Sequence, residues 1–240
     1  MKGVTAAELF PSLSEKWMKY FSSQPIWEDM KFHKGDNEYH SCFLDLERFV
    51  EIQKGLENDY PSEWNYEKGA VSMLPIPKAI MIHESVKIPD NVCFGKWGII
   101  IEKGAVIRPG AYIRENTWIC ENAVVGHCSE IKNSVLLPGA KAPHFNYVGD
   151  SILGPDVNLG AGSKLSNLRN DGRNILIRDG ETGELLDDSG MRKLGAILGE
   201  GVQLGCNVVT NPGTIMQKNS SAWPNVTVSG LIKSGQTVKE

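Results

Sequence analysis

An aliphatic residue returns at every sixth position in the stretch Ile107-Arg-Pro-Gly-Ala-Tyr-Ile113-Arg-Glu-Asn-Thr-Trp-Ile119. The same rhythm recurs further along the chain, with one interruption, at Val125, Ile131, Leu137, Leu153, Leu159 and Leu165. A period of six fits neither an amphipathic helix nor an alternating strand. Small or turn-forming residues follow each aliphatic residue. We therefore predict a short strand and a corner in every hexad, with the aliphatic side chain pointing inward.

Three hexads form one triangular coil of about 18 residues, which is typical of a parallel β-solenoid. An antiparallel sandwich would space its strands by about 8 to 12 residues instead. The sequence therefore predicts a mainly β protein, a parallel β-helix of hexapeptide repeats over residues 73–240. Residues 167–193 interrupt it with a polar, turn-rich segment that we interpret as a long loop or projecting hairpin, often a functional feature.

Residues 1–72 lack most of the six-residue rhythm and predict a small N-terminal helical cap. Thr5 and Glu8 have the spacing of a capping box, and a second helix is predicted over residues 43–56. Stacked strands expose unpaired backbone and an apolar interior at the end of a coil. We therefore expect the cap to cover that end.

Composition argues against two classes of partner. The 25 Lys and Arg residues are outnumbered by 29 Asp and Glu, which gives a net charge of -4 and no support for nucleic-acid binding. No apolar run approaches the roughly 18 to 20 residues of a membrane span, and Glu8 lies where a signal peptide would have its apolar core. We expect a cytoplasmic protein without a membrane partner.

The five cysteines are odd in number and form no C-x-x-C pair, which argues against a disulfide framework and a structural zinc site. We interpret most of them as small buried residues. A catalytic zinc on this fold would need converging histidines. His83, His127 and His144 show no close pair on one face in the six-residue frame, so we expect no metal.

Several motifs resemble a known family. Ile107-Arg-Pro-Gly-Ala111, Lys141-Ala-Pro-His-Phe-Asn-Tyr-Val-Gly-Asp150 and Asn158-Leu-Gly-Ala-Gly-Ser163 resemble the C-terminal acetyltransferase domain of bifunctional N-acetylglucosamine-1-phosphate uridylyltransferases. Asn167-Leu-Arg-Asn-Asp-Gly172 and Asn211-Pro-Gly213 are similar to related sugar-1-phosphate nucleotidylyltransferases. The resemblance covers roughly residues 100–216. It implies a left-handed β-helix, a homotrimer with the active site between subunits, acetyl-CoA as co-substrate and an amino-sugar 1-phosphate as acceptor.

The resemblance also implies roles for individual residues. His144 matches the general base, a role that suits an imidazole because its ordinary pKa lies near 6.5. The positions that match the acceptor site are Lys132, Tyr147, Asn158 and Arg173. The positions that match the acetyl-CoA groove are Ala161, Asn167 and Cys206.

The sequence departs from the family at four places, one of which is Cys206, where the family has a serine of the acetyl-CoA groove. The family places an arginine three hexads, or one full coil, before the lysine. Arg114 has that spacing to Lys132, whereas Arg108 of the Arg-Pro-Gly motif lies four hexads before it. Both remain candidates for the acceptor site, and stacking over Lys132 favours Arg114. Arg173 replaces a lysine and keeps its charge. Leu168 replaces a tyrosine.

The chain lacks a glycine-rich nucleotide-binding segment between a strand and a helix. The N-terminal segment of residues 1–72 is also too short for a nucleotidylyltransferase domain, so we expect that activity to be absent. The predicted function is acetyl-CoA-dependent N-acetyl transfer to an amino-sugar 1-phosphate. The alternative is a non-catalytic trimeric β-helix that binds a sugar phosphate, a nucleotide or a protein partner.

Overall fold

From Ile80 onward the chain winds into a coil with three flat faces. The computed structural model describes residues 3–22, 24–33, 39–41, 43–44, 46–59, 64–67 and 80–240. On each face, the strands of successive coils pair in parallel. This confirms the prediction of a parallel β-helix of hexapeptide repeats with short helices at its N-terminus.

Each face is one continuous sheet. The first face consists of Val106–Ile107, Val124–His127, Lys141–His144, Asn158–Leu159, Gln203–Leu204, Ser221–Ala222 and Thr237–Val238. The second face consists of Cys93–Phe94, Tyr112–Ile113, Glu130–Lys132, Tyr147–Gly149, Lys164–Leu165, Val209–Thr210 and Thr227–Val228. The third face consists of Trp64–Glu67, Ile80–His83, Ile99–Ile101, Thr117–Ile119, Val135–Leu136, Ile152–Leu153, Ala196–Leu198, Thr214–Met216 and Leu231–Ile232.

The N-terminal region contains helices α1 (Ala6–Leu9), α2 (Glu15–Met18) and α3 (Leu46–Asp59) and a 3-10 helix, Ile26–Met30. Lys31–His33 pairs with Tyr39–Ser41 in a small antiparallel sheet. The capping box of α1 is present as predicted, since Thr5 and Glu8 each accept the other's backbone N–H. The predicted domain boundary at residues 72 and 73 lies outside the described residues.

The corners of the coil require left-handed backbone. Asparagine and aspartate tolerate this conformation better than other residues with a side chain. They supply most of the non-glycine corner residues with positive φ, namely Asn116, Asn122, Asn133, Asp150, Asp156, Asn207, Asn219 and Asn225. The six-residue rhythm thus reflects an inward aliphatic residue followed by a tight corner.

One inward position differs from the six-residue prediction. Leu136 points into the coil, whereas Leu137 belongs to the apolar cluster outside the third face. The cause is a change in coil length. Val106 pairs with Val124, a full three hexads on, but Val124 pairs with Lys141, one position short of three hexads. A strict period of six therefore loses register at this coil.

The cap packs against the outer surface of the third face, a position that extends beyond the coil end where the sequence placed it. Trp118 on this face is fully buried, with its ring 5.5 Å from Tyr20 and 6.4 Å from Phe43. The third face carries continuous apolar runs such as Ile99–Ile101 because both of its sides are buried. Strand Trp64–Glu67 does pair with Ile80–His83 at the first coil.

A buried carboxylate joins the cap to the coil. Glu102 Oε1 accepts hydrogen bonds from Trp17 Nε1 at 3.0 Å and Trp118 Nε1 at 2.7 Å. Glu102 Oε2 lies 3.1 Å from Lys16 Nζ. A buried charge needs such partners, since an unpaired one is strongly destabilising. These contacts therefore fix the cap to the third face.

The predicted long loop is an ordered excursion of residues 166–195 between the second and third faces. It contains an antiparallel hairpin of Leu176–Arg178 and Leu185–Asp188. Ile177 and Met191 are fully buried in the cluster that also contains the cap, and Trp27 Nε1 donates to Asp187 Oδ2 at 3.0 Å. The excursion therefore packs against the cap and the third face.

The interpretation of most cysteines as buried is wrong for the described residues. Cys120 is buried, but Cys93, Cys128 and Cys206 are exposed because they lie at corners or on the outer side of a strand. Cys42 lies outside the described residues. Within the described part of the chain, no helix is both long and apolar enough to cross a membrane.

Candidate active site

The residues with candidate roles gather mainly at two corners on either side of the second face. The histidine corner, between the first and second faces, contains His127, Cys128, His144 and Phe145. The carboxylate corner, between the second and third faces, contains Lys132, Asn133, Asp150 and Asn167. Tyr147 lies on the second face between these corners.

At the histidine corner, the backbone of His144 is held on both sides. Its N–H donates to Asn146 Oδ1 at 2.9 Å, and its carbonyl accepts from the Gly162 N–H at 3.0 Å. Asn146 is buried and also donates to the Gly160 carbonyl at 2.9 Å. The His144 ring itself is exposed, and no side chain of the described residues hydrogen-bonds to it. The ring is thus anchored at its base and open to a ligand.

His127 lies one coil below His144, and the two are direct register partners. The expectation that they form no close pair on one face is therefore wrong, because the coil step here is one position shorter than three hexads. His127 Nδ1 lies 2.6 Å from the Pro109 carbonyl, so this nitrogen carries the proton. His127 Nε2 then accepts from the thiol of Cys128 at 3.3 Å.

Two corner residues here hold an unfavourable backbone conformation. Phe145 has φ of 52° and Cys128 has φ of 51°, in the left-handed region that bulky residues rarely adopt. Phe145 is also 57% exposed, and its ring meets that of His127 edge-on at 5.6 Å. Strained backbone with an exposed aromatic side chain is typical of functional sites rather than of cores.

At the carboxylate corner, three side chains converge on Asp150. Lys132 Nζ lies 3.2 Å from Asp150 Oδ2, and Asn133 Nδ2 donates to Oδ1 at 2.6 Å. Asn167 Nδ2 donates to Oδ2. The Asp150 side chain is only 2% exposed, whereas Lys132 is 20% exposed and reaches the surface. The structure thus joins Lys132 to Asn167 through a carboxylate.

Tyr147 extends the carboxylate corner along the second face. Its hydroxyl accepts from Asn167 Nδ2 at 3.2 Å. The hydroxyl has room because Gly149 has no side chain: a Cβ there would lie 2.6 Å from the Tyr147 oxygen and 2.8 Å from Asn167 Nδ2. Burial, with a smaller contribution from Asp150, raises the pKa of Tyr147 above its ordinary value. Tyr147 therefore keeps its proton at neutral pH and can donate it to a ligand.

Replacing Gly149 with alanine should displace this hydroxyl without unfolding the coil. The atoms that the new Cβ would meet are the far ends of the Tyr147 and Asn167 side chains, which can move. We expect any activity that depends on the Tyr147 hydroxyl to fall at least tenfold, since small misplacements of positioned groups are costly. The thermal midpoint should change by only a few degrees. An unchanged rate would show that Tyr147 and Asn167 do not need this geometry.

The two candidate arginines lie at different corners. Arg114 follows the strand that pairs with Glu130–Lys132, so it lies one coil below Lys132, and it forms an ion pair with Glu130 at 2.8 Å. Arg108 lies on the first face and reaches up to the Pro143 carbonyl, next to His144, at 3.4 Å. Each arginine thus flanks a different part of the candidate site.

The remaining predicted residues are more scattered. Half-buried Asn158 is one coil above Lys141 on the first face. Ala161 and Cys206 lie between the first and second faces, as His144 does, in the coils above it. Arg173 is exposed on the excursion, where its N–H donates to Asp171 Oδ1 at 3.1 Å. The structure does not bring Arg173 into contact with Lys132 within one chain.

Sequence reasoning missed Asp150, Asn133 and Asn146 as parts of the site. Asp150 is the last residue of the Lys141 to Asp150 motif that contains His144, and this position is the feature of the sequence that could have identified it as part of the site. Asn133 and Asn146 resemble ordinary corner asparagines in the sequence, and only the stacking of the coils brings them to the site.

A groove of about 600 Å³ lies between the excursion and later corners of the coil, which contribute Asn211, Pro212, Ser229 and Gly230. Its lining includes Leu168, Arg169, Arg178 and Asn211. Leu168 is 44% exposed here and forms a bridge with Lys193. In the part of the chain that the structure describes, no three His, Cys, Asp or Glu side chains are grouped so that they could hold a metal ion.

The coil and its corners define a hexapeptide-repeat β-helix protein. The family model described as the GMPPB C-terminal domain matches residues 96–221, which is more than half of the chain. The chain therefore belongs to this family.

Two curated relatives are each similar over about half of the chain. A bifunctional sugar-1-phosphate nucleotidylyltransferase/acetyltransferase of Sulfurisphaera tokodaii is 37% identical over 48% of this chain and 28% of its own length. The bifunctional protein GlmU of Methanococcus aeolicus is 36% identical over 48% of this chain and 27% of its own length. The chain thus spans about a quarter of the length of these relatives.

Among solved structures, a mutant of perosamine N-acetyltransferase from Caulobacter crescentus, in complex with CoA and GDP-perosamine, is 16% identical. The match covers 65% of this chain and 55% of that one, with a TM-score of 0.29. A score this low supports no inference about activity.

Proposed function

We propose that the protein transfers acetyl from acetyl-CoA to the amine of an amino-sugar 1-phosphate, with His144 as general base. The observation that carries this proposal is the histidine corner, where an open imidazole stands on a rigid backbone beside a strained, exposed Phe145. Relatives whose names include acetyltransferase or GlmU match about half of this chain, and the family model covers the segment that contains this corner.

The chemistry requires one base and a positioned acceptor. As the amine nitrogen attacks the thioester carbonyl, His144 takes its proton, the bond from carbon to sulfur breaks, and the CoA thiolate leaves and is protonated. An imidazole is suited to this step because its neutral form is available near neutral pH. The free ring of His144 can contact the amine without first breaking a hydrogen bond within the described residues.

The acceptor phosphate fits the cations of the carboxylate corner. Lys132 has three donor hydrogens, and its contacts with the two carboxylate oxygens of Asp150, at 3.2 and 3.4 Å, leave at least one of them for a ligand. Arg114, one coil below, adds a second cation, while Tyr147 offers a hydroxyl along the second face. We assign acceptor binding to Lys132, Arg114, Tyr147 and Asn158. Arg108, beside His144, is kept as a second candidate.

Acetyl-CoA would lie along the histidine corner and the coils above it, near Ala161 and Cys206, with Asn167 at the far side of the second face. We propose a homotrimer in which neighbouring copies complete this site. Support comes from large exposed apolar side chains on the faces that the cap leaves open, namely Val106, Tyr112 and Phe145.

The function is tested by thiol release. Purified protein should release CoA thiol from acetyl-CoA when glucosamine 1-phosphate is present, and much more slowly with glucosamine, which lacks the phosphate. Equal rates with both amines would contradict the proposed acceptor class. Binding of the sugar phosphate without thiol release would instead favour the non-catalytic β-helix.

Replacing Lys132 with methionine should raise the KM for glucosamine 1-phosphate by about tenfold or more. A charge-assisted hydrogen bond contributes about 1.5 to 3 kcal/mol, and about 1.4 kcal/mol corresponds to a factor of ten. The KM for acetyl-CoA should stay within about twofold. Lys218→Met is the matched control, because Lys218 is exposed near the turn between the third and first faces. Equal effects of both substitutions would remove Lys132 from the acceptor site.

A further inference from the structure

Asp150 is a buried charge in a column of corner amides. Asn133, Asp150 and Asn167 occupy the same corner in three successive coils, and the two amides donate to the carboxylate between them. Elsewhere in the coil, Asn207 and Asn225 form such a contact with amides alone, at 3.2 Å. An asparagine at position 150 could adopt the same backbone conformation but would present a single oxygen, whereas Asp150 accepts from Asn133 through Oδ1 and from Asn167 through Oδ2.

The charge has a specific partner. Lys132 Nζ lies 3.2 Å from Asp150 Oδ2, and the carboxylate is almost completely buried while the ammonium is partly exposed. Removing a carboxylate from water is costly, and the nearby cation offsets that cost. The pair fixes the direction in which Lys132 presents its remaining N–H donors.

Asp150 also holds both ends of the excursion. Its side chain accepts from Asn167, where the excursion leaves the coil, and its carbonyl accepts from the Gly195 N–H, where the excursion returns, at 2.8 Å. Asn167 in turn donates to the Tyr147 hydroxyl at 3.2 Å. One residue thus contacts a cation of the acceptor site, the amide beside Tyr147 and the segment that forms the 600 Å³ groove.

We infer that Asp150 is the positioning residue of the acceptor site: its carboxylate aims Lys132 and Asn167, and its main chain holds the return of the excursion. This inference rests on the proposed function, because it takes Lys132 to be part of the acceptor site. Asp150 does not touch the acceptor, because its side chain is buried beneath these two residues.

The test is Asp150→Asn, which keeps the shape and removes the charge. We expect kcat for acetyl transfer to fall about 10- to 100-fold, as is usual when positioned groups lose their geometry. Competitive inhibition by inorganic phosphate should be unchanged or stronger, because one negative charge near Lys132 is gone. Loss of folding alone would lower kcat and also weaken the inhibition by inorganic phosphate. In a Lys132→Met background, Asp150→Asn should have a much smaller effect, since the two residues act as a unit.

Asp156→Asn is the matched control. Asp156 is also a corner aspartate with a positive φ, 55° against 52° for Asp150, but it lies between the third and first faces. Its substitution should leave kcat within about twofold. Wild-type kcat in Asp150→Asn, or equal losses in both variants, would overturn the inference.

A binding measurement separates this inference from the proposed function. Without acetyl-CoA, Asp150→Asn should bind inorganic phosphate at least as tightly as the wild type and exchange the Leu194 amide hydrogen faster, because that N–H donates to the carbonyl of Asn167, whose side chain loses the carboxylate. If the wild type transfers no acetyl but these shifts occur, the proposed function fails and the role of Asp150 stands. Weaker phosphate binding with unchanged exchange of the amide hydrogens would overturn the role of Asp150. Should Asp150→Asn fail to fold, Asn167→Ala removes one of the two links, and an unchanged kcat in that variant would count against the inference.

Discussion

Replacing His144 with alanine is expected to lower the rate of acetyl transfer by about a hundredfold or more. General-base catalysis contributes roughly 10² to 10⁴ to a rate, and no side chain of the described residues hydrogen-bonds to the ring to take over its role. The fold should be unaffected, because the ring is exposed and the backbone contacts of His144 involve only its N–H and carbonyl. Thiol release at saturating acetyl-CoA measures the effect.

His127→Ala is the sharpest comparison for this prediction. His127 has the same side chain one coil below, but its Nδ1 is bound to the Pro109 carbonyl and its Nε2 faces Cys128. We expect this variant to keep more than a tenth of the wild-type rate. If His127→Ala removes activity and His144→Ala does not, the base has been assigned to the wrong histidine.

Replacing Trp118 with alanine should lower the free energy of unfolding by about 3 to 5 kcal/mol, the usual range for a large buried aromatic residue. Trp118 is fully buried between the cap and the third face, and its Nε1 donates to the buried Glu102 at 2.7 Å. The substitution leaves a cavity beside Tyr20 and Phe43 and removes one partner of a buried charge. Urea unfolding at a fixed protein concentration measures the loss.

Trp223→Ala is the control for Trp118. Trp223 is 54% exposed, and its ring lies 5.0 Å from Lys239 Nζ, a surface contact of small energy. We expect a change within about 0.5 kcal/mol, as is common for surface substitutions. Similar losses in the two tryptophan variants would show that the cap does not depend on burial against the third face.

The coil could be predicted from sequence because its signal is local. Each hexad carries its own inward aliphatic residue and corner, and the corner asparagines tolerate positive φ. The first error came where two successive coils are each a single position shorter than three hexads, which placed Leu136 rather than Leu137 inside. Such a shortening shifts the register of every later strand but leaves no mark in composition.

The same shortening concealed the pairing of His127 with His144. A frame of three full hexads places them at different corner positions, whereas the shorter step stacks them. The position of the cap was missed for a different reason. It depends on long-range burial, and the only sequence signal was that third-face strands such as Ile99–Ile101 are apolar at consecutive positions.

The candidate site could be predicted only as a set of residues. The family resemblance marked Lys132, Tyr147 and Asn167, and the structure joins them through Asp150. That link was not evident from sequence, because a corner aspartate and a corner asparagine serve the backbone equally well. Their difference emerges only when Lys132 is stacked beside the carboxylate.

The most direct test of acetyl transfer follows the acetyl group itself. Purified protein is incubated with isotopically labelled acetyl-CoA and glucosamine 1-phosphate, and both products are measured. The proposed function predicts one labelled N-acetyl group on the sugar amine for each CoA thiol released, with the label absent from the product of His144→Ala in the same interval. Sugar phosphate that binds the protein but carries no label, with acetyl-CoA left intact, would contradict it.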